Sequence, residues 1–180
     1  MRTDVRQRPV NTGLLIGAVL GAVFVMVNAQ SPLNPGVGTA LRVVAIAGAV
    51  AVLALWFLAQ RQVHGSPAEA RQNMFSKGYW IVVAIEAVLL FGGTKLLTAW
   101  GVPTQVNVAW VALVVGVHFL GLAPIWKSRS ILVPGAVLTA LGLAGFAVAA
   151  AGSVEWVPLV SGVGSGLALV AGSVWQSLRR

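Results

Sequence analysis

Six long apolar runs, separated by links that hold most of the charge, constrain this chain more than any other feature. The runs cover approximately residues 12–29, 37–59, 79–99, 105–125, 131–152 and 156–178. About 20 apolar residues are enough for a helix to cross a bilayer. Because 58% of the residues are hydrophobic and only 9% are charged, a soluble surface is excluded. The sequence therefore predicts an all-α membrane protein, with one domain over residues 1–180 that forms a six-transmembrane-helix bundle.

The positive charges collect in alternate links. Almost all lysines and arginines lie at the N-terminus, after the second run, after the fourth run and at the C-terminus, whereas the other three links hold none. Such an excess marks the cytoplasmic side of a membrane. We therefore expect both termini to be cytoplasmic, and the net charge of +8 needs no nucleic-acid partner. All seven tryptophans fall near segment ends, which is typical of an aromatic belt at the membrane surfaces.

Few residues in this chain can carry chemistry. It has no cysteine, two histidines and four carboxylate side chains, which disfavours disulfides, thiolate catalysis and metal sites. Motifs of zinc peptidases, serine hydrolases and phosphate-binding loops are absent. We therefore expect neither an enzyme nor a bound cofactor.

The first run carries small residues on one helical face, at Gly13, Gly17 and Gly21. Such a face lets another helix approach closely, and it predicts a helix-packing seam. We favour packing inside the same bundle, and a homodimer seam is the alternative. The basic start and the stretch from Val27 to Ala29 also resemble a signal peptide. A retained helix is the preferred interpretation, because nothing soluble follows that would need export.

The longest polar link contains a helix-start signal. Ser66, Pro67 and Glu69 have the spacing of a capping box with proline at the first helical position. This predicts a short interfacial helix over residues 67–76, lying at the membrane surface and stopped by Gly78.

The two runs between Trp80 and Trp126 form a candidate hairpin around a neutral turn. Glu86 and His118 lie equally far from Val102 on either side, so antiparallel helices would place them at the same depth, in the cytoplasmic half. We expect the rest of the bundle to be a scaffold around this hairpin. A carboxylate inside a membrane costs roughly 2.5–3.5 kcal/mol unless it is protonated, paired or hydrated. The pair could pass a proton or bind a cationic or polar solute, or it could simply clip two helices together.

A second polar layer is predicted nearer the outside. Lys95 and Asn107 flank the turn of the hairpin, and Arg42 enters from the second run at a similar depth. Two cations without an acidic partner suit an anionic solute or a lipid headgroup, but snorkelling to lipid phosphates explains them as well and is favoured. A salt bridge from Arg42 to Glu86 is a third possibility.

The stretch from Val114 to Ala123, VVGVHFLGLA, resembles a recurrent pattern in small multi-pass bacterial membrane proteins. That pattern often has proline where this chain has Gly121, and the resemblance covers about the middle hairpin. It implies a bacterial inner-membrane protein and singles out His118, but it implies no activity.

Two functions follow from these observations. The first is a small transporter or permeation unit that moves a solute or a proton past Glu86 and His118. The second is a non-catalytic accessory or structural membrane protein in which the same residues hold helices together. Transport requires the pair to border a water-filled cavity, whereas a structural role predicts a dry pair in direct contact.

Overall fold

The computed structural model describes residues 12–30, 32–61 and 76–179, which contain helices and turns and no strand. Six α-helices are present: α1 (Thr12–Asn28), α2 (Pro35–Arg61), α3 (Lys77–Ala99), α4 (Asn107–Ile125), α5 (Leu132–Ala150) and α6 (Gly164–Leu178). Short 3-10 turns lead into α4 and α5, and a π-helical segment, Pro158–Val163, leads into α6. With these lead-in turns, five helices are long and apolar enough to cross a membrane, and α1 is apolar but shorter. The described residues confirm the all-α prediction, and their long apolar helices are consistent with a multi-pass membrane protein.

Local signals explain where the helices begin. The side chain of Asn34 accepts a hydrogen bond of 2.9 Å from the amide of Gly36, and Pro35 is the first residue of α2. Ser76 accepts from the amide of Tyr79 at 3.4 Å and caps α3. Apart from Ser76, the predicted interfacial helix over residues 67–76 lies outside the described residues. Gly78, which was expected to stop it, lies in the first turn of α3 instead.

Three helices end in the same kind of turn. Gly101, Lys127 and Gly152 follow α3, α4 and α5 with φ of 69°, 49° and 85°. In the second turn, the amides of Lys127 and Ser128 donate back to the carbonyls of Pro124 and Ala123 at 3.3 and 3.1 Å. This Schellman arrangement closes a helix, and its left-handed position usually holds glycine. Lysine there costs about 1–2 kcal/mol more than glycine, so Lys127 is the unusual member of the set.

The helices pack in a definite order. α1, α2 and α6 pack on one another, and α6 and the π-helical segment also contact α5. α5 packs on α4, and α4 packs on α3. In the span that ends with α6, half of the residues of the most apolar window are buried. In α3, no residue is buried. The hairpin of α3 and α4 is therefore not the centre of the bundle, and that expectation was wrong. The sequence could not show this, because α3 and the central helix α6 are almost equally apolar.

The direction of α1 relative to α6 follows from their contacts. The contacting residues are Gly17 with Ser173, Gly21 with Gly166, and Asn28 with Gly162. The numbers rise along one helix as they fall along the other, so α1 and α6 run antiparallel. This arrangement places the start of α1 and the end of α6 at the same end of the bundle.

Candidate functional site

The candidate site lies between α3 and α4, which form an antiparallel hairpin. Gly101 takes a positive φ, and the amide of Val102 donates to the carbonyl of Leu97 at 3.0 Å, which closes α3 tightly. The contacts across the hairpin are Gly93 with Trp110, Val82 with Gly121, and Gly78 with Ile125. Each pair is nearly equidistant from the turn, so the hairpin has the register that the spacing around Val102 predicts.

Glu86 and His118 meet in this register. His118 Nδ1 lies 3.0 Å from Glu86 Oε2, and the two side chains are 10% and 19% exposed, respectively. The contact lacks the direction of a hydrogen bond, since His118 Nδ1 has no hydrogen-bond partner in the described part of the chain. The imidazole and the carboxyl group are therefore in close contact without a hydrogen bond, and they form an ion pair when the imidazole is protonated. The Phe119 ring lies edge-on to the imidazole at 5.8 Å and forms part of its apolar surroundings.

Among the described residues of the helices around the pair, other charges lie only near the ends of α3. α4, α5 and α6 carry no Asp, Glu, Lys or Arg, and the other charged residues of α3 are Lys77 and Lys95 near its two ends. Among the described residues, the surface has one open groove along α3 and another at the turn between α4 and α5. Neither groove is lined by Glu86 or His118. The side chains of Glu86 and His118 thus contact each other directly. One of the two helices that carry them, α3, lies at the edge of the bundle.

A tryptophan connects the two helices of the hairpin at a level between the pair and the turn. Trp110 Nε1 donates to the carbonyl of Leu89 at 2.8 Å, and its indole lies against Gly93. A Cβ on Gly93 would collide with the indole, so the absence of a side chain lets the ring cross α3. Sequence reasoning assigned Trp110 to the aromatic belt and missed this bond. The signal available was a tryptophan in α4 at the depth of a glycine in α3.

The three residues of the predicted outer layer are not gathered at one place. Arg42 donates through Nη2 to the carbonyl of Ala29 at 2.7 Å, so it ties α2 to the residue after α1. Lys95 is exposed on α3, in the groove with Thr94 and Thr98. Those two hydroxyls donate to carbonyls of α3 itself, at 2.7 and 2.9 Å, and so are engaged within their helix.

Asn107 begins α4, and its side-chain oxygen is buried without a hydrogen-bond partner in the described part of the chain. A salt bridge from Arg42 to Glu86 does not form either, since each of the two has another partner. Arg42 instead places a positive charge at the carboxyl end of α1, where the helix dipole favours it.

The glycine seam of α1 packs inside the chain. A Cβ on Gly21 would lie 2.6 Å from the carbonyl oxygen of Gly166, and one on Gly17 would lie 3.1 Å from the hydroxyl of Ser173. Both glycines are buried against α6, whereas Gly13 is exposed. Gly17 and Gly21 are therefore not available as a dimer seam, because α6 already occupies the close approach that they permit.

A polar contact near the π-helical segment was not foreseen. Ser161 is fully buried and donates to the carbonyl of Leu141 on α5 at 2.8 Å. Gly145 permits this approach, because a Cβ there would overlap the Ser161 hydroxyl. The available sequence signal is a serine beside glycines in an apolar run. The contact links α5 to the segment that leads into α6.

No group of three or more His, Asp or Glu side chains that could hold a metal ion is found in the described parts of the chain. Comparison with known proteins finds no matching family model, no matching curated protein and no matching solved structure. The candidate site must therefore be interpreted from its own geometry.

Proposed function

We propose that this chain is a six-span protein of a bacterial inner membrane with both termini in the cytoplasm. The antiparallel contact between α1 and α6 supports this topology, because an odd number of reversals must separate them. α1 has 17 described residues, and about 1.5 Å per residue gives it roughly 25 Å, close to the thickness of a hydrocarbon core.

The position of the charges supports the proposed orientation. Tyr79 stacks on Trp126 with ring centroids 6.0 Å apart, which places the neighbouring Lys77 and Lys127 at the same end of the bundle. Glu155 lies in the link between α5 and α6, at the opposite end. Lysine and arginine favour the cytoplasmic side, and the end with Lys77 and Lys127 is therefore assigned to the cytoplasm.

Within this topology, we propose that the protein is a non-catalytic structural or accessory membrane protein in which Glu86 and His118 clip α3 to the bundle. The observation that carries this proposal is the direct 3.0 Å contact between the two side chains. Among the described helices, α3 packs extensively against α4 alone. The hydrophobic effect does not drive one helix against another in lipid, because lipid tails are as apolar as the neighbouring helices. Polar contacts such as this pair and the bond of Trp110 therefore decide where α3 lies.

Transport of a proton or solute is the second candidate. It is favoured by one observation: about a fifth of the Glu86 side chain stays exposed, on a helix with no buried residue. A second molecule against α3 could enclose that carboxylate in a path. Transport would require a homodimer or another partner, because α4 forms only one side of such a path.

Proton flux and thermal stability distinguish the two functions. We would reconstitute wild type, Glu86→Gln, His118→Ala and the control Lys95→Gln into liposomes and impose a pH gradient. The structural role predicts no flux above empty liposomes. Loss of the pair costs about 1 kcal/mol, which lowers the melting temperature by roughly 2–4 °C in the two pair variants and leaves the control unchanged.

A flux in wild type that either pair substitution abolishes, with helical content intact, would replace the structural role by transport. Equal melting temperatures in all four proteins would show that the pair holds nothing together. Lys95→Gln serves as the control because it removes a charge from the same helix without touching the pair.

A further inference from the structure

We propose that the turn between α4 and α5 binds an anionic phospholipid by its headgroup. An open groove of about 440 Å³ lies there, lined by Ala123, Pro124, Lys127, Ser128, Arg129 and Leu132. One part of its lining consists of two cations and a hydroxyl, and the other part is an apolar strip. A phospholipid is the ligand with a matching division, since its phosphate carries negative charge and its chains are apolar.

No carboxylate among the described residues compensates the charge in the groove. Lys127 and Arg129 lie two residues apart, and the carboxylates in the described parts of the chain are those of Glu86 and Glu155. Glu86 is paired with His118 inside the hairpin, and Glu155 lies in the link between α5 and α6. An anion in the groove therefore meets two positive charges, and no described carboxylate lines the groove. Basic pockets of this kind, between helices at a membrane surface, bind lipid phosphates.

The apolar part of the groove fits an acyl chain. Ala123 and Pro124 belong to the last turn of α4, and Leu132, which is 40% exposed, begins α5. The groove thus continues from the cations onto membrane-facing helix surface. A free phosphate ion would use the cations but would leave this surface empty, and for this reason we assign the site to a lipid.

The turn holds its lysine in an unusual conformation. Lys127 has φ of 49° at the position that glycine fills after α3 and after α5. Both hydrogen bonds of the turn are made, so the backbone at this residue is fixed. Residues with a side chain rarely adopt this backbone conformation. Because Lys127 adopts it, the cation enters the groove from a rigid turn and not from a flexible chain end.

The depth of the groove also fits a headgroup. Trp126 precedes Lys127 and stacks on Tyr79, with an angle of 16° between the rings. Aromatic side chains of this type collect at the level of the lipid headgroups. The inference needs the chain to be embedded in a bilayer, but it does not depend on the proposed role of Glu86 and His118.

The test is a titration of the full-length protein in detergent with phosphatidylglycerol, followed by native mass spectrometry of the first bound lipid. Phosphatidylcholine with the same acyl chains is the lipid control. We expect Lys127→Gly and Arg129→Gln each to weaken phosphatidylglycerol binding about fivefold, and both together about thirtyfold. Arg61→Gln is the matched protein control, because it removes an exposed cation at the end of α2, outside the groove.

Folding does not obscure the result, because glycine fits the left-handed position of Lys127 and should keep the melting temperature at or above that of wild type. Equal losses in Arg61→Gln and the groove variants would overturn the proposal, since they would show general surface attraction. Equal affinity for the two lipids would also overturn it. Displacement of the lipid by millimolar glycerol phosphate would reassign the groove to a soluble anion.

Discussion

At the scale of single residues, Gly93 shows how one missing side chain sets the distance between two helices. The indole of Trp110 occupies the space where a Cβ of Gly93 would be, and it donates to the carbonyl of Leu89 at 2.8 Å. The neighbouring Gly92 has nothing within 4 Å of the same position. The two adjacent glycines therefore have opposite roles, one required by a contact and one facing open space.

This contrast gives a prediction with its own control. Gly93→Ala should displace the indole, break its hydrogen bond and destabilise the hairpin by about 1–3 kcal/mol. Gly92→Ala should be neutral or slightly stabilising, because alanine favours a helix over glycine and meets nothing. Thermal unfolding in detergent, with tryptophan fluorescence as a second probe, checks both. Equal stability of the two variants would contradict the observed position of Trp110.

The sequence predicted the residues of the candidate pair better than it predicted their surroundings. Glu86 and His118 could be matched because an antiparallel hairpin with a short turn leaves little freedom of register. Trp110 could not be matched, since the direction of an indole depends on a space in the facing helix. The exposed edge position of α3 was equally hidden, because burial depends on which helices lie nearby.

At the scale of helices, the crossing of α1 and α6 brings two backbones close together near the centre of the bundle. Gly21 and Gly166 face each other, and a Cβ on either would come within about 2.6 Å of the carbonyl oxygen of the other helix. Small residues at such a crossing let two backbones pack directly, which provides van der Waals contact that lipid cannot replace. α1 is shorter than the five long apolar spans, counted with their lead-in turns, and its most extensive contact is with α6.

Gly21→Ala should therefore push α1 away from α6 and destabilise the protein by about 1–3 kcal/mol. Gly172→Ala, on α6 with nothing within 4 Å of its Cβ position, is the matched control and should change little. Differential scanning of both purified variants measures the effect. A loss of stability in Gly172→Ala as large as that in Gly21→Ala would mean that general helix changes, and not the crossing, explain the result.

At the scale of the whole molecule, the topology can be tested directly because the chain has no cysteine. Gln30→Cys and Thr104→Cys place single thiols in the first and third links, and Ser130→Cys places one in the fourth. We expect a membrane-impermeant maleimide to label the first two in intact cells and the third only after the membrane is permeabilised. The reverse pattern would invert the orientation, and labelling of all three in intact cells would contradict six alternating spans.

By itself, the sequence determined that this chain is helical, where its helices lie and that its charges divide between two ends. These properties are local or additive, since the length and hydropathy of each segment act almost independently of its neighbours. The structure alone decided that α6 is central, that α3 is at the edge, and that Gly17 and Gly21 of α1 pack against α6. In lipid, hydrophobicity does not choose between one apolar neighbour and another. That choice rests on the fit of small residues and on a few polar contacts between segments far apart in sequence, which only the tertiary structure brings together.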